Sequence, residues 1–236
     1  MISIYTFVVS PFMQNARIFI DEETQEALII DPGHDVDRIF SLIEEKQIKS
    51  SRIFLTHCHI DHAGGVVPLL RLYQNAGLDA PSILCHRNEL PVGAFIEQYA
   101  LMSGFPEGIY YNLPHIDVYL EDYDEICFGK AKGRCLFTPG HSPGHMALFF
   151  DAMEVSFFGD VNLSQLICQP ILLSGDTLFY ESIGRTDLPG GDSHQLMVSI
   201  QEKICILPPS TVVLSGHGQD TTIAHELEFN PFLKSV

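Results

Sequence analysis

The sequence predicts an α/β fold in four layers, two mixed sheets packed face to face with helices outside (αββα), on three observations. Apolar strand runs alternate with segments of helical spacing in both halves of the chain, so each half has a sheet to bury and helices to cover it. The second half repeats the order of the first. Four apolar runs end in turns that carry His or Asp, which places those side chains along one edge where the halves meet.

The elements follow in order. Strands are predicted at residues 2–9, 16–20 and 26–31, the last ending in the turn Asp31-Pro32-Gly33. Residues 35–46 carry Val36, Ile39, Phe40 and Ile43 at the spacing of one helical face. Strand 52–56 comes next; beyond Ala63-Gly64-Gly65, a helical segment carries Val66, Leu69, Leu70 and Tyr73. A strand near 82–85 and a helical stretch near 88–102 close the first half. Residues 103–114, with prolines and glycines beside Tyr110 and Tyr111, read as a connecting loop that helps wall a site. The second half offers strands near 116–120, 125–128, 133–138 and 146–151, a helix at about 193–205, a strand at 211–215 and a final helix from about 221. Residues 1–236 are read as a single domain.

Composition narrows the functional classes. With 236 residues, 46% of them hydrophobic, the chain can bury one large core. No run approaches the ~20 apolar residues of a membrane span. Met1-Ile2-Ser3-Ile4-Tyr5 lacks the basic start of a secretory signal and reads as a strand. Six cysteines without a Cys-x-x-Cys pair suit free thiols in a reducing compartment. The expectation is a soluble, cytoplasmic protein with no membrane partner. A net charge of −17 argues against nucleic acid, whose phosphates need clustered Lys and Arg.

The densest chemistry is Thr56-His57-Cys58-His59-Ile60-Asp61-His62, directly after the apolar run Ile53-Phe54-Leu55. Residues 57 and 59 share a side of an extended backbone, so their imidazoles can share one ion, while Cys58 turns to the opposite face and the core. Asp61 and His62 fall near the start of the following helix, where a second position opens. Asp61 alone would read as a helix cap, and a lone His as a surface hydrogen bond. Together, these imidazoles and the carboxylate are better satisfied by a divalent cation.

Further candidates end strands of the second half. His141 stands on the Pro- and Gly-fixed turn Thr138-Pro139-Gly140-His141-Ser142-Pro143-Gly144-His145. Asp176 follows Leu172-Leu173-Ser174-Gly175, and His217 follows Val213-Leu214-Ser215-Gly216. His145 is assigned to hydrogen bonding behind the site, whereas His34, His86, His115, His194 and His225 show no partner pattern.

These residues resemble the signature of the metallo-β-lactamase fold superfamily, His-x-His-x-Asp-His, here His57, His59, Asp61 and His62, with His141, Asp176 and His217 matching the remaining ligands in order. Within it, Gly175-Asp176-Thr177-Leu178-Phe179, Ser182-Ile183-Gly184-Arg185-Thr186-Asp187 and Asn230-Pro231-Phe232-Leu233 look most like the single-domain, glyoxalase II-like hydrolases. The resemblance implies an αββα sandwich with two divalent metal ions, zinc foremost, with iron and manganese also suited. One ion would be held by His57, His59 and His141, the other by Asp61, His62 and His217, with Asp176 bridging. Two departures stand out. Residues 152–175 carry a further strand-like run ending in Gly159-Asp160, so the segment reads as an insertion and Asp160 competes with Asp176 as ligand; the downstream motif favours Asp176. Gly218, not Tyr, follows His217, and no C-terminal glutathione-binding helical domain is expected.

Two divalent ions about 3.5–4 Å apart lower the pKa of a bridging water from ~15.7 toward ~7. The resemblance therefore implies hydrolysis by metal-bound hydroxide of a thioester or related activated ester, such as an S-acylglutathione like S-lactoylglutathione. Asp61 is the first candidate to accept the water's proton, Asp176 the second. Arg185 is a candidate substrate anchor, with a salt bridge to Asp187 as its plainer role. The competing reading is a persulfide dioxygenase of the same superfamily with one iron on His57, His141 and Asp176. A nuclease or a non-catalytic metal-binding protein ranks lower.

Overall fold

The computed structural model describes residues 1–160 and 166–234. Strands β1 (Ile2–Val9), β2 (Gln14–Asp21) and β3 (Glu26–Ile30) form an antiparallel meander. Helix α1 (Val36–Glu45) then leads to β4 (Ser50–Phe54), parallel to β3. Helix α1 buries Val36, Ile39, Phe40 and Ile43, the face that their spacing predicts, and stops before Gln47, whose φ of 51° cannot continue a right-handed helix. Beyond β4 come the single turn α2 (Ile60–Ala63), α3 (Val66–Asn75), β5 (Ser82–Cys85), α4 (Leu90–Gly93), α5 (Ile96–Met102) and the short β6 (Val118–Tyr119).

The second half comprises β7 (Glu125–Phe128), β8 (Ala131–Phe137), β9 (Met146–Gly159), β10 (Leu166–Gly175), the small hairpin β11 (Leu178–Phe179) and β12 (Ser182–Ile183), α6 (Ser193–Ser199), β13 (Val212–Ser215), β14 (Thr221–Thr222) and α7 (Ile223–Phe229). Residues 152–175, expected as an insertion, hold the far part of β9 and the returning β10. These are interior strands, paired with β1 on one side and β13 on the other.

Side-chain alternation sorts the apolar residues into three layers of core. Ile18, Ile20, Ile29 and Ile53 face α1 and α3. Their neighbours Phe19, Leu28, Ile30 and Phe54 face the other way, against Phe128, Leu148, Phe150 and Leu173 from the second half. Phe149, Leu172 and Val213 then turn outward to Leu196 and Ile200 of α6 and its continuation and to Ile223 of α7. Helix, sheet, sheet, helix is the predicted layering. The hydrogen-bond ladder adds a detail: the two sheets share one path, β14-β13-β10-β9-β1-β2-β3-β4-β5-β6, with β8 and β7 branching from β9. Strand β9 is long enough to serve both sheets, pairing β8 along its first half and β1 along its second.

Among the described residues, no helix is long and apolar enough to cross a membrane. The ends of β3, β4, β8, β10 and β13 carry Asp31, the 57–62 segment, the 138–145 loop, Asp176 and His217. Backbone bonds stitch this rim together: Met146 N donates to Thr56 O at 2.8 Å, Asn15 N to Gly216 O at 2.8 Å and Gly216 N to Gly175 O at 2.9 Å.

Candidate metal centre

Beyond β4 the chain bends at Thr56, and His57 and His59 both turn their rings to His141, their ring centroids 4.7 Å apart, while Cys58 is fully buried in the first core layer. Asp61 and His62 sit inside the separate turn α2, not at the start of α3. His59 Nδ1 lies 3.0 Å from His141 Nε2, which lies 3.3 Å from His57 Nε2. On the other side, His217 Nε2 is 3.1 Å from Asp61 Oδ2, and His62 Nε2 is 3.8 Å from the same oxygen. Asp176 stands between the groups, 3.3 Å from His62, 3.6 Å from His141 and 3.5 Å from His217. The structure thus brings all seven candidates together. Asp160 is elsewhere, accepting from Arg38 and from Val8 N.

The protonation pattern follows from the outer partners. His141 Nδ1 donates to Arg185 O at 2.8 Å, His217 Nδ1 to Phe12 O at 3.2 Å and His62 Nδ1 to the Asp31 carboxylate at 2.9 Å. Thr56 gives its one hydroxyl proton to Asp31, so His57 Nδ1 must donate to Thr56 Oγ1. In these four rings Nδ1 is committed outward, so the inward Nε2 is the atom left to ligate a metal, which would displace any proton it carries.

Burial and crowding by like groups hold His57 well below the usual imidazole range, and burial with His141 nearby brings His59 down to about 3. Burial also opposes a charge on His62 and His217. In those two the carboxylates prevail: Asp176, Asp61 and Asp31 carry His62 well above its usual value, and Asp176 and Asp61 lift His217 to about 9. His62 Nε2 and Asp176 Oδ1 are buried 3.3 Å apart, in ion-pair reach but not aligned for a hydrogen bond. A cation among these donors would satisfy both. The residues present therefore fit a divalent metal pair.

Residues 11–167 match the Metallo-beta-lactamase superfamily. The chain belongs to that superfamily. Among relatives of this superfamily member, the Haemophilus influenzae hydroxyacylglutathione hydrolase GloC is 34% identical over 234 residues, covering 96% of each chain. Two solved structures share the fold. The BLEG-1 B3 metallo-beta-lactamase superposes with a TM-score of 0.78 at 30% identity, covering 98% of this chain and 99% of its own. TTHA1623 in a di-iron-bound form gives 0.74 at 31% identity, covering 97% and 99%.

The superfamily centre is braced by residues that carry no signature of their own. Glu89, fully buried, accepts from Cys58 N, Ser142 Oγ and Gly144 N, each at 2.7 Å, and so ties the 57–62 segment to the 138–145 loop. Burial pushes its carboxyl above the usual range, against those three donors. Asn15 Nδ2 donates to Ser215 O and Gly218 O, clamping the His217 turn, while Arg17 donates to Ser215 O and pairs with Asp220. His145 is fully buried behind the centre, accepting from Asp176 N at 3.1 Å and donating to Thr138 and Thr177. At Gly216 a side chain would overlap Asp176 Oδ1, so only glycine lets the His217 turn approach that carboxylate. Asp31 had a legible signal, an apolar strand ending in an acid at the same rim; Glu89 and Arg17 had none.

The centre opens into a cleft of about 750 Å3. Its walls come from α4 and α5, Phe12, the β11–β12 hairpin and residues 185–190. None of the loop 103–114 lines it, contrary to expectation: Tyr110 is turned under Gly64 and packs on Phe105 and His34. Arg185 reaches the cleft, but its guanidinium makes two 2.7 Å bonds to Asp187.

Proposed function

We propose that this chain hydrolyses a thioester or related activated ester, in the glyoxalase II-like manner of which an S-acylglutathione such as S-lactoylglutathione is the reference substrate. The observation that carries this reading is the pair of ligand groups, His57/His59/His141 and Asp61/His62/His217, on either side of Asp176. Zinc is the first choice for both positions; iron and manganese suit the same donors. When bound there, a divalent pair supplies Lewis acidity and a water ionised near neutral pH.

The side chains do the rest. Asp61 Oδ2, held by His217, borders the cleft and is placed to accept the proton of the attacking water, with Asp176 as the second acceptor. Water adds to the carbonyl carbon, the C–S bond breaks, and that proton passes to the leaving thiolate. The apolar walls exclude bulk water and so strengthen each electrostatic contact at the reacting carbon. The partner in this reading is a small molecule, consistent with a charge of −17 that disfavours nucleic acid. A cytoplasmic setting is part of the proposal, supported by free thiols among the described residues.

The test is metal content after purification without added metal, together with turnover of S-lactoylglutathione, simple thioesters, lactones and a β-lactam. Two metals per chain with thioester cleavage support the proposal. A single iron with oxygen uptake on glutathione persulfide would replace it with the dioxygenase reading.

A further inference from the structure

The walls of the cleft say something about what is recognised beside the scissile bond. Phe12, Val92, Phe95, Tyr99, Phe179 and Leu188 face one continuous apolar space that ends at His59, Asp61 and His217. Among the described residues that line it, Arg185 is the one permanent cation, and Asp187 already engages its guanidinium through two bonds. A glutathione moiety brings two carboxylates. Here they would meet an uncommitted positive charge nowhere along the walls, within a chain of net charge −17. An apolar group of several carbons would instead leave water for a ready-made apolar surface.

We infer that the cleft selects its substrate through an extended apolar acyl group on the thioester, not through the carboxylates of glutathione. This inference rests on the thioesterase reading and assigns the substrate class to the same site. Phe95 stands at the junction of α4 and α5, partly exposed, where a smaller polar residue removes wall surface without opening the core.

The experiment compares kcat/KM for acetyl, butyryl, hexanoyl and octanoyl thioesters of N-acetylcysteamine with that for S-lactoylglutathione, on the metal-bound protein. The expected result is a rise of about fourfold per added methylene until the cleft is filled, with the octanoyl ester at least about a hundredfold better than the acetyl ester and ahead of S-lactoylglutathione. Phe95→Ser should flatten that slope, and an unchanged slope counts against the apolar wall. A flat acyl series, or S-lactoylglutathione preferred over every acyl ester, overturns the inference and leaves the thioesterase intact. Absence of turnover on all of them sinks the thioesterase reading itself, and the inference with it. Calorimetric binding of S-octyl-N-acetylcysteamine, an uncleavable thioether, gives a readout besides activity: it should bind at least tenfold more tightly than the S-methyl analogue, and equal affinities count against the apolar subsite.

Discussion

Ser142 donates its hydroxyl to the buried carboxylate of Glu89 across 2.7 Å, although the two residues are 53 positions apart. The same carboxylate holds Cys58 N, so one side chain sets the distance between His57/His59 and His141. Glu89→Gln would turn an amide N–H2 toward a backbone N–H or toward the Ser142 and Gly144 donors. A loss of about 1–3 kcal/mol is expected, with weaker metal binding. Urea denaturation and metal titration of the variant check this; wild-type values in both would remove Glu89 from the positioning of the centre.

Asp176 and Asp160 are separated by their surroundings. Asp176 is buried among His62, His141 and His217, whereas Asp160 is an exposed partner of Arg38. Asp176→Asn should deplete bound metal and abolish turnover. Asp160→Asn breaks a surface pair worth about 0–1 kcal/mol and should retain full metal content. Elemental analysis of the two variants decides, and the reverse pattern would reverse the assignment.

Asn15 holds both ends of the turn that presents His217. Asn15→Ala should weaken the Asp61/His62/His217 position about 10–100-fold and leave His57/His59/His141 nearly untouched. Stepwise metal titration should then show two separated affinities. Equal weakening of both positions would mean that Asn15 serves the fold as a whole.

His59→Ala removes the imidazole that meets His141 at 3.0 Å, so the first position keeps two of its three nitrogens. Loss of metal and of turnover is expected. Full activity in this variant would contradict the centre.

Metal removal should destabilise the protein, because it leaves the clustered donors His57, His59, His141, Asp61, His62, His217 and Asp176 crowded at one rim with no cation to hold them together. Free metal at 100 times its dissociation constant stabilises by about 2.7 kcal/mol, which for a chain of this size is a rise in Tm of about 5–11 °C over the chelated protein. Differential scanning calorimetry with and without chelator measures it, and coincident transitions would argue against a metal pair coupled to this fold.

Local pattern made much of this molecule legible. The helical face of Val36, Ile39, Phe40 and Ile43 states which side of α1 is buried, and along β2 and β3 the backbone period sends successive side chains to opposite core layers. The histidine segment and the Gly-rich turns before Asp176 and His217 likewise carry their chemistry in adjacent residues. What spans the chain was not local. The joining of both sheets through β9, the Glu89 brace and the apolar cleft each depend on residues tens to hundreds of positions apart meeting in the folded chain. Periodicity tells a side chain which way to face; only packing tells it what it will find there.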